Sequence, residues 1–385
     1  MRFAFTDEQE ELRHTLRRLL QERAPSEEVR RAAATAEGHD RKLWSLLSEI
    51  GLPALPVPEE YGGAGFGFVD LAVALEETGR GPLPSPLLPS AVLASGAVLS
   101  GADRDAREEL LPGIATGDTL AALTGVNLAH GEPGSALNAR RTSGGWAIDG
   151  IDPMTLGGEA ADVLVITAHT PQGLTLFVTP GDTTGLTLSP LTTMDETRRF
   201  ARAEFRNVMA TCIGTPGSAA GAVRHAVRLA QVSIALESVG GAQRCLDMAV
   251  EYARTRVQFG QPVGSFQAVQ HLLADSLLRV ESARSAAWYA AWCVDNAPER
   301  LPLYASLAKS YCTEAYLTAA GTCLQVHGGI GFTWEHDAHL HLKRAKSSQS
   351  LLGSPAGHRV EVAERIGLTP SAEDGGFTES GTQGG

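Results

Sequence analysis

A helical pattern runs from Gly217 to about Gly367, and no other feature constrains the fold as strongly. Within this stretch Phe266, Val269, Leu273, Leu277, Val280 and Ala287 recur at the spacing that places them on one face of an α-helix. Long helices with one apolar face must bury that face against one another. The pattern therefore predicts a helical bundle over residues 213–367.

The remainder divides in two. Residues 1–118 read as a helical domain. Thr6 has the chemistry of an N-cap, with Glu8 and Glu10 in the following turn. Leu12, Leu16, Leu19 and Leu20 then recur at helical spacing. Further helices are expected over Lys42–Ile50, stopping at Gly51, and over Val69–Thr78. The run from Pro56 to Gly65 reads as an irregular loop, and the prolines between Pro82 and Pro89 predict an irregular turn region. From residue 119 to 212 the chain instead shows short β-branched or alternating segments at Trp146–Asp149, Asp162–Ala168, Thr175–Thr179, Leu186–Leu188 and Ala201–Val208. No long helix separates them, so a small antiparallel β domain is expected. The predicted class is α+β: N-terminal helical domain, central antiparallel β domain, C-terminal four-helix bundle. Residues 368–385, rich in Gly, Ser, Thr and Glu, read as a disordered tail.

Composition narrows the function. There are 44 acidic and 32 basic residues, a formal charge of -12, and a binder that tracks nucleic-acid phosphates would be basic. A local basic pocket for a phosphorylated cofactor stays compatible with that balance. The five cysteines form no CxxC pair, so free thiols in a reducing compartment are expected and no metal site. The first residues show no apolar signal core, and no run of about twenty apolar residues occurs. A cytoplasmic chain that neither spans membranes nor binds nucleic acid is expected.

Three motifs stand out. The first begins Tyr252-Ala253-Arg254-Thr255-Arg256-Val257-Gln258-Phe259-Gly260 and continues to Phe266-Gln267, His271 and Asp275. The second is Gln325-Val326-His327-Gly328-Gly329-Ile330-Gly331-Phe332-Thr333-Trp334-Glu335. The third is Pro58-Glu59-Glu60-Tyr61-Gly62-Gly63-Ala64-Gly65 with Glu76-Glu77-Thr78-Gly79-Arg80. Arginine offers a fixed, bidentate cation for a pyrophosphate, and paired glycines let backbone approach a ligand without a Cβ clash. No GxGxxG follows a strand, which argues against a Rossmann flavoprotein.

In this order the motifs resemble the acyl-CoA dehydrogenase family, over nearly the whole chain to about residue 365. The resemblance implies FAD as cofactor, with Arg256, Gln258, Phe259 and Gln267 touching the FAD of a neighbouring subunit. It places Gln325, Val326, Gly328 and Gly329 near the adenosine end. Thr155 corresponds to a threonine beside the flavin ring, across a one-residue gap. The resemblance also implies a homo- or hetero-oligomer, usually a dimer of dimers, an acyl-CoA or related acyl thioester as substrate, and an electron-transfer flavoprotein as electron acceptor. Phe259 is expected to pack rather than react, and His271 and His327 to be structural.

The family reaction removes an α proton to a glutamate while the β hydride passes to flavin N5. That glutamate stands in one of two places, and both lack it here. In the C-terminal loop, Gly353-Ser354 matches the family's Gly-Thr and puts Leu352 at the base position. On the helix before the arginine motif the corresponding residue is Ala230, flanked by Leu229 and Gln231. Counted back from Gly240-Gly241, read as a turn, the nearest carboxylate is Glu237. It is a weak candidate base, and a helix-end or interface contact is the expected role. The β domain departs as well: Thr124-Gly125 replaces the usual Thr-Glu, and Asp152 replaces a lysine. Such departures are like those of bacterial members that form heteromeric α2β2 assemblies, including steroid side-chain types, and of biosynthetic relatives of the same fold. One reading is a dehydrogenase acting by itself or in a complex; the alternatives are a non-catalytic partner subunit of a heteromeric acyl-CoA dehydrogenase or a biosynthetic flavoenzyme of the same fold.

Overall fold

The structure, a computed structural model, describes residues 5–368. The tail read as disordered, from Thr369 onward, lies outside them.

The N-terminal part holds α1 (Asp7–Arg23), α2 (Ser26–Ala33), α3 (Arg41–Glu49), α4 (Phe68–Arg80), α5 (Ser95–Gly101) and α6 (Arg104–Thr116). Thr6 caps α1 as its chemistry predicts. Its hydroxyl accepts from the Gln9 amide at 3.2 Å, and the Gln9 side chain accepts from the Thr6 N–H at 3.1 Å. The proline-rich turn region ends earlier than expected, because Leu87–Ala94 forms a buried π-helical stretch that runs into α5. Pro89 sits in its first turn, where a missing N–H breaks no intrahelical bond.

The central part is built from β1 (Ala121–Thr124), β2 (Val126–Asn127), β3 (Glu132–Pro133), β4 (Asn138–Thr142), β5 (Gly145–Leu156), β6 (Val163–Thr170), β7 (Gly173–Pro180), β8 (Leu186–Pro190) and β9 (Phe200–Cys212). The pairings β4–β5, β5–β9, β9–β7, β7–β6 and β6–β4 close on themselves. Antiparallel ladders dominate, while β1 and β4 meet β6 in parallel. Closure leaves few free edges and wraps a core that includes Leu137, Trp146, Ile148, Ile166, Phe177 and Phe205.

The C-terminal part contains α7 (Ala219–Thr255), the hairpin β10 (Val257–Gln258) and β11 (Gln261–Pro262), then α8 (Gln267–Asn296), α9 (Leu301–His327), α10 (Ala338–Ser350) and α11 (Pro355–Arg365). Helix α7 is unbroken for 37 residues, about 55 Å. Gly240-Gly241 therefore lies inside a helix rather than in a turn, and Glu237 is not at a helix end. Two features favour continuity there: both glycines are buried against neighbouring helices, and helical residues flank them on each side. The apolar face read along α8 splits. Val280 and Ala287 are buried in the bundle, whereas Leu277 and its neighbour Leu278 are exposed.

Candidate functional site

Apart from Thr155, the residues singled out for cofactor contact lie where α7 and α9 end. The two ends are joined by the Tyr252 and His327 rings, whose centroids are 4.4 Å apart. Arg256 follows α7 in an extended conformation, and its carbonyl accepts from the Val263 N–H at 2.8 Å, closing the β10–β11 hairpin. Phe259 and Gly260 form the tip with φ of 55° and 81°. A bulky residue in that region is strained, and the Phe259 ring is 92% exposed. Gln258 and Gln267 are exposed beside it, the Gln258 amide donating to the Val257 carbonyl at 2.9 Å. At the end of α9, Gln325 is exposed and Val326 half-buried. Gly328 has φ of 61°, and a Cβ on Gly328 or Gly329 would meet nothing within 4 Å. Phe332 and Trp334 are also exposed, Trp334 at 74%. One end of the bundle thus presents an accessible guanidinium, two amides, open glycine backbone and apolar rings.

Thr155 is elsewhere. It is fully buried on β5, and its hydroxyl donates to Asp152 Oδ2 at 2.7 Å. The same oxygen accepts from the Thr124 hydroxyl at 2.6 Å and the Gly125 N–H at 2.9 Å. Oδ1 accepts from the Met154 N–H at 3.2 Å. A buried carboxylate needs such donors, and Asp152 uses Thr155 as one of them.

The turn holding Leu352 is clamped. Leu352 is buried with φ of 60°. Its N–H donates to the Leu128 carbonyl at 2.6 Å. Its carbonyl accepts from Gln231 Nε2 at 3.0 Å and lies 3.0 Å from His358 Nε2. Lys309 Nζ donates to the Ser348 carbonyl at 2.7 Å and the Gly353 carbonyl at 3.3 Å. Burial pushes the Lys309 ammonium down to about 7, and Arg198 adds to the effect. Across the contact, a Cβ on Gly131 (φ 71°) would lie 2.5 Å from the Leu352 carbonyl oxygen. The loop between β2 and β3 therefore meets the Leu352 turn backbone to backbone. Ala230 is buried with no acid in its place.

Glu237 belongs to a buried charge network drawn from distant parts of the chain. Its carboxylate pairs closely with Arg198, from the turn before β9, and lies 3.7 Å from Arg344 on α10. Arg344 is fixed in turn by Thr197 Oγ1 at 2.9 Å, the Leu83 carbonyl at 3.1 Å and Asp195 at 3.2 Å. Burial lowers the Arg198 guanidinium below its usual range, against the opposing pull of Glu237. With two guanidiniums at its Oε2, Glu237 balances buried charge. None of these partners could be found from local sequence, since no spacing links Asp195, Glu237 and Arg344.

The α7–α9 end fits the pyrophosphate and adenosine half of a dinucleotide: a cation, hydrogen-bonding amides and backbone free of Cβ atoms. The Thr155 side does not fit the ring half equally well, because its hydroxyl is committed to Asp152. Among the described residues no cluster of His, Cys, Asp and Glu could hold a metal. No helix among them is long and apolar enough to cross a membrane, and the five cysteines are free thiols.

Comparison with known proteins identifies the family. The models of the acyl-CoA dehydrogenase N-terminal and C-terminal domains match residues 6–118 and 220–367. The chain belongs to the acyl-CoA dehydrogenase family. It is 38% identical over 362 residues to acyl-CoA dehydrogenase IpdE2 of Mycobacterium tuberculosis, covering 94% of this chain and 96% of that protein. It is 33% identical to acyl-CoA dehydrogenase FadE34 of the same organism, over 86% of this chain and 45% of the relative. Among solved structures, the ChsE4-ChsE5 complex from Mycobacterium tuberculosis superposes with a TM-score of 0.86 at 27% identity, over 96% of this chain and 100% of that one. The Tcur3481-Tcur3483 steroid ACAD gives 0.83 at 27%, over 94% and 98%. As an acyl-CoA dehydrogenase the chain is an FAD-dependent oxidoreductase of the type acting on CH–CH groups.

Proposed function

We propose that this chain works within a heteromeric acyl-CoA dehydrogenase that desaturates an acyl thioester between its α and β carbons. In that assembly Arg256, Gln258, Phe259, Gln267, Gln325, Val326, Gly328 and Gly329 form the edge that holds the pyrophosphate and adenosine of FAD. The proton-abstracting carboxylate comes from the partner chain. The observation that carries this reading is the Leu352 turn, where a buried, clamped leucine stands at the position the resemblance gives to the base. Asp152 supports it by tying up Thr155.

FAD, when bound, would supply the acceptor for the β hydride. Arg256 supplies charge to the pyrophosphate, and the two glutamines supply hydrogen bonds. The exposed Phe259, Phe332 and Trp334 give a partner chain apolar surface to cover, which excludes water from the cofactor edge. The α proton passes to the partner's carboxylate, so proton and hydride leave adjacent carbons and a double bond remains. The steroid relative and the two-chain complex among its structural neighbours favour a polycyclic acyl-CoA as the first substrate to assay, with an electron-transfer flavoprotein as the acceptor.

The test is purification of this chain by itself and together with a dehydrogenase chain encoded beside it. A stable yellow mixed assembly is expected, bleached by acyl-CoA only while the partner's glutamate is intact. Full acyl-CoA oxidation by this chain in isolation would overturn the proposal.

A further inference from the structure

Away from the cofactor edge, a cavity of about 270 Å³ lies where α1, α2, α4, α7 and α10 meet. Arg17, Arg80 and Arg244 reach it, together with Glu77 and Asp337. Most of these charges are already matched. Arg17 donates to Glu77 through Nε at 2.9 Å and Nη2 at 2.5 Å. Arg80 pairs with Asp247 at 2.7 Å, and Asp337 with Arg30 at 3.1 Å. Arg244 differs: among the described residues it makes no ion pair and no side-chain hydrogen bond, and it is half-buried on the cavity wall. The lining therefore carries one uncompensated positive charge.

We propose that this cavity binds a small organic monocarboxylate, with Arg244 as its anchor. A guanidinium fork matches a carboxylate in a bidentate contact. A single unmatched cation suits a single negative charge, and Glu77 and Asp337 on the same walls disfavour a dianion such as phosphate. The rest of the lining suits an organic body: Leu20, Val29, Leu83 and Leu340 provide apolar wall. His341 is a buried lining residue and stays neutral, burial pushing it down to about 3 with Arg244 adding to the effect. The position also matters, because Asp337 holds Ser26 and Arg30 of α2 and directly precedes α10. A ligand bridging Arg244 to the α1 and α4 walls braces the N-terminal helices against the segment that follows Gly328-Gly329.

Sodium butyrate is the probe, with sodium phosphate at matched ionic strength as the competitor class, on the assembled protein. Butyrate should raise Tm in a saturable way and give measurable heat in calorimetry. Arg244→Gln should weaken that binding at least tenfold, while the exposed Arg141→Gln leaves it unchanged. An equal butyrate response in Arg244→Gln would overturn the proposal, as would phosphate binding as well as butyrate. Should Arg244→Gln fail to fold, the wild-type titration still decides, since absence of butyrate heat refutes the site.

Discussion

Lys309 offers the sharpest test of how this chain is held together. Its ammonium is buried on α9 and, among the described residues, donates only to the carbonyls of Ser348 and Gly353 and has no carboxylate partner. Its folded value is about 7, against about 10.4 for an unfolded lysine. Below pH 7 both states carry the proton, and the folded state bears the full cost of the buried charge. Between pH 7 and about 10 the folded state sheds the proton while the unfolded state keeps it, so stability must rise with pH through that window. At about 1.4 kcal/mol per unit, tapering near each end, the gain from pH 7 to pH 9 is about 2 kcal/mol. Lys309→Met removes the titration and keeps most of the volume. Urea unfolding of both proteins at pH 7 and pH 9, at fixed protein concentration, gives four stabilities whose double difference isolates Lys309. The wild type should gain about 2 kcal/mol relative to Lys309→Met on going to pH 9. A double difference under about 0.5 kcal/mol would refute a buried, titrating amine, whatever the absolute stabilities.

Arg256→Gln should weaken FAD retention by about tenfold to a hundredfold, as loss of a charge-assisted contact does; absorbance near the flavin band after dialysis checks this, and an unchanged spectrum would remove Arg256 from the cofactor edge. Glu237→Ala leaves Arg198 buried and unpaired and should cost about 3–5 kcal/mol in chemical denaturation. Because Glu237 balances charge rather than moving a proton, the turnover of whatever Glu237→Gln assembly survives should stay within a few-fold of wild type. Gly131→Ala places a methyl against the Leu352 carbonyl at a positive φ and should destabilise by about 1–3 kcal/mol, loosening the Leu352 turn as read by faster hydrogen exchange at its amides.

Much of the fold could be read from residue pattern. The α1 cap, α3, α4 and strands β5 to β9 each carry a local signal: a capping hydroxyl, a periodic apolar face, or alternation between turn residues. Other elements carry no such signal. Strand β1 is a short apolar run with no alternation, since it is buried on both sides. The π-helical stretch at Leu87–Ala94 was hidden by prolines that are harmless in a first turn. The grouping of Arg256, Gln258, Gln267, Gly328 and Gly329 at one end of the bundle follows from motifs whose members are close in sequence. The charge network of Asp195, Arg198, Glu237 and Arg344 does not, because its members meet only after three separate elements pack. Asp152 showed in the sequence as a departure from the family, but its four donors appear only in the folded barrel.

The strained, outward-facing Phe259 and the exposed Phe332 and Trp334 bear on the life of the chain before it meets a partner. A copy with that end uncovered displays apolar surface of the kind that chaperones and proteases recognise. Cellular abundance of this chain is then set by the supply of whatever covers that end. Making this chain and whatever covers that end in matched amounts would keep uncovered copies scarce.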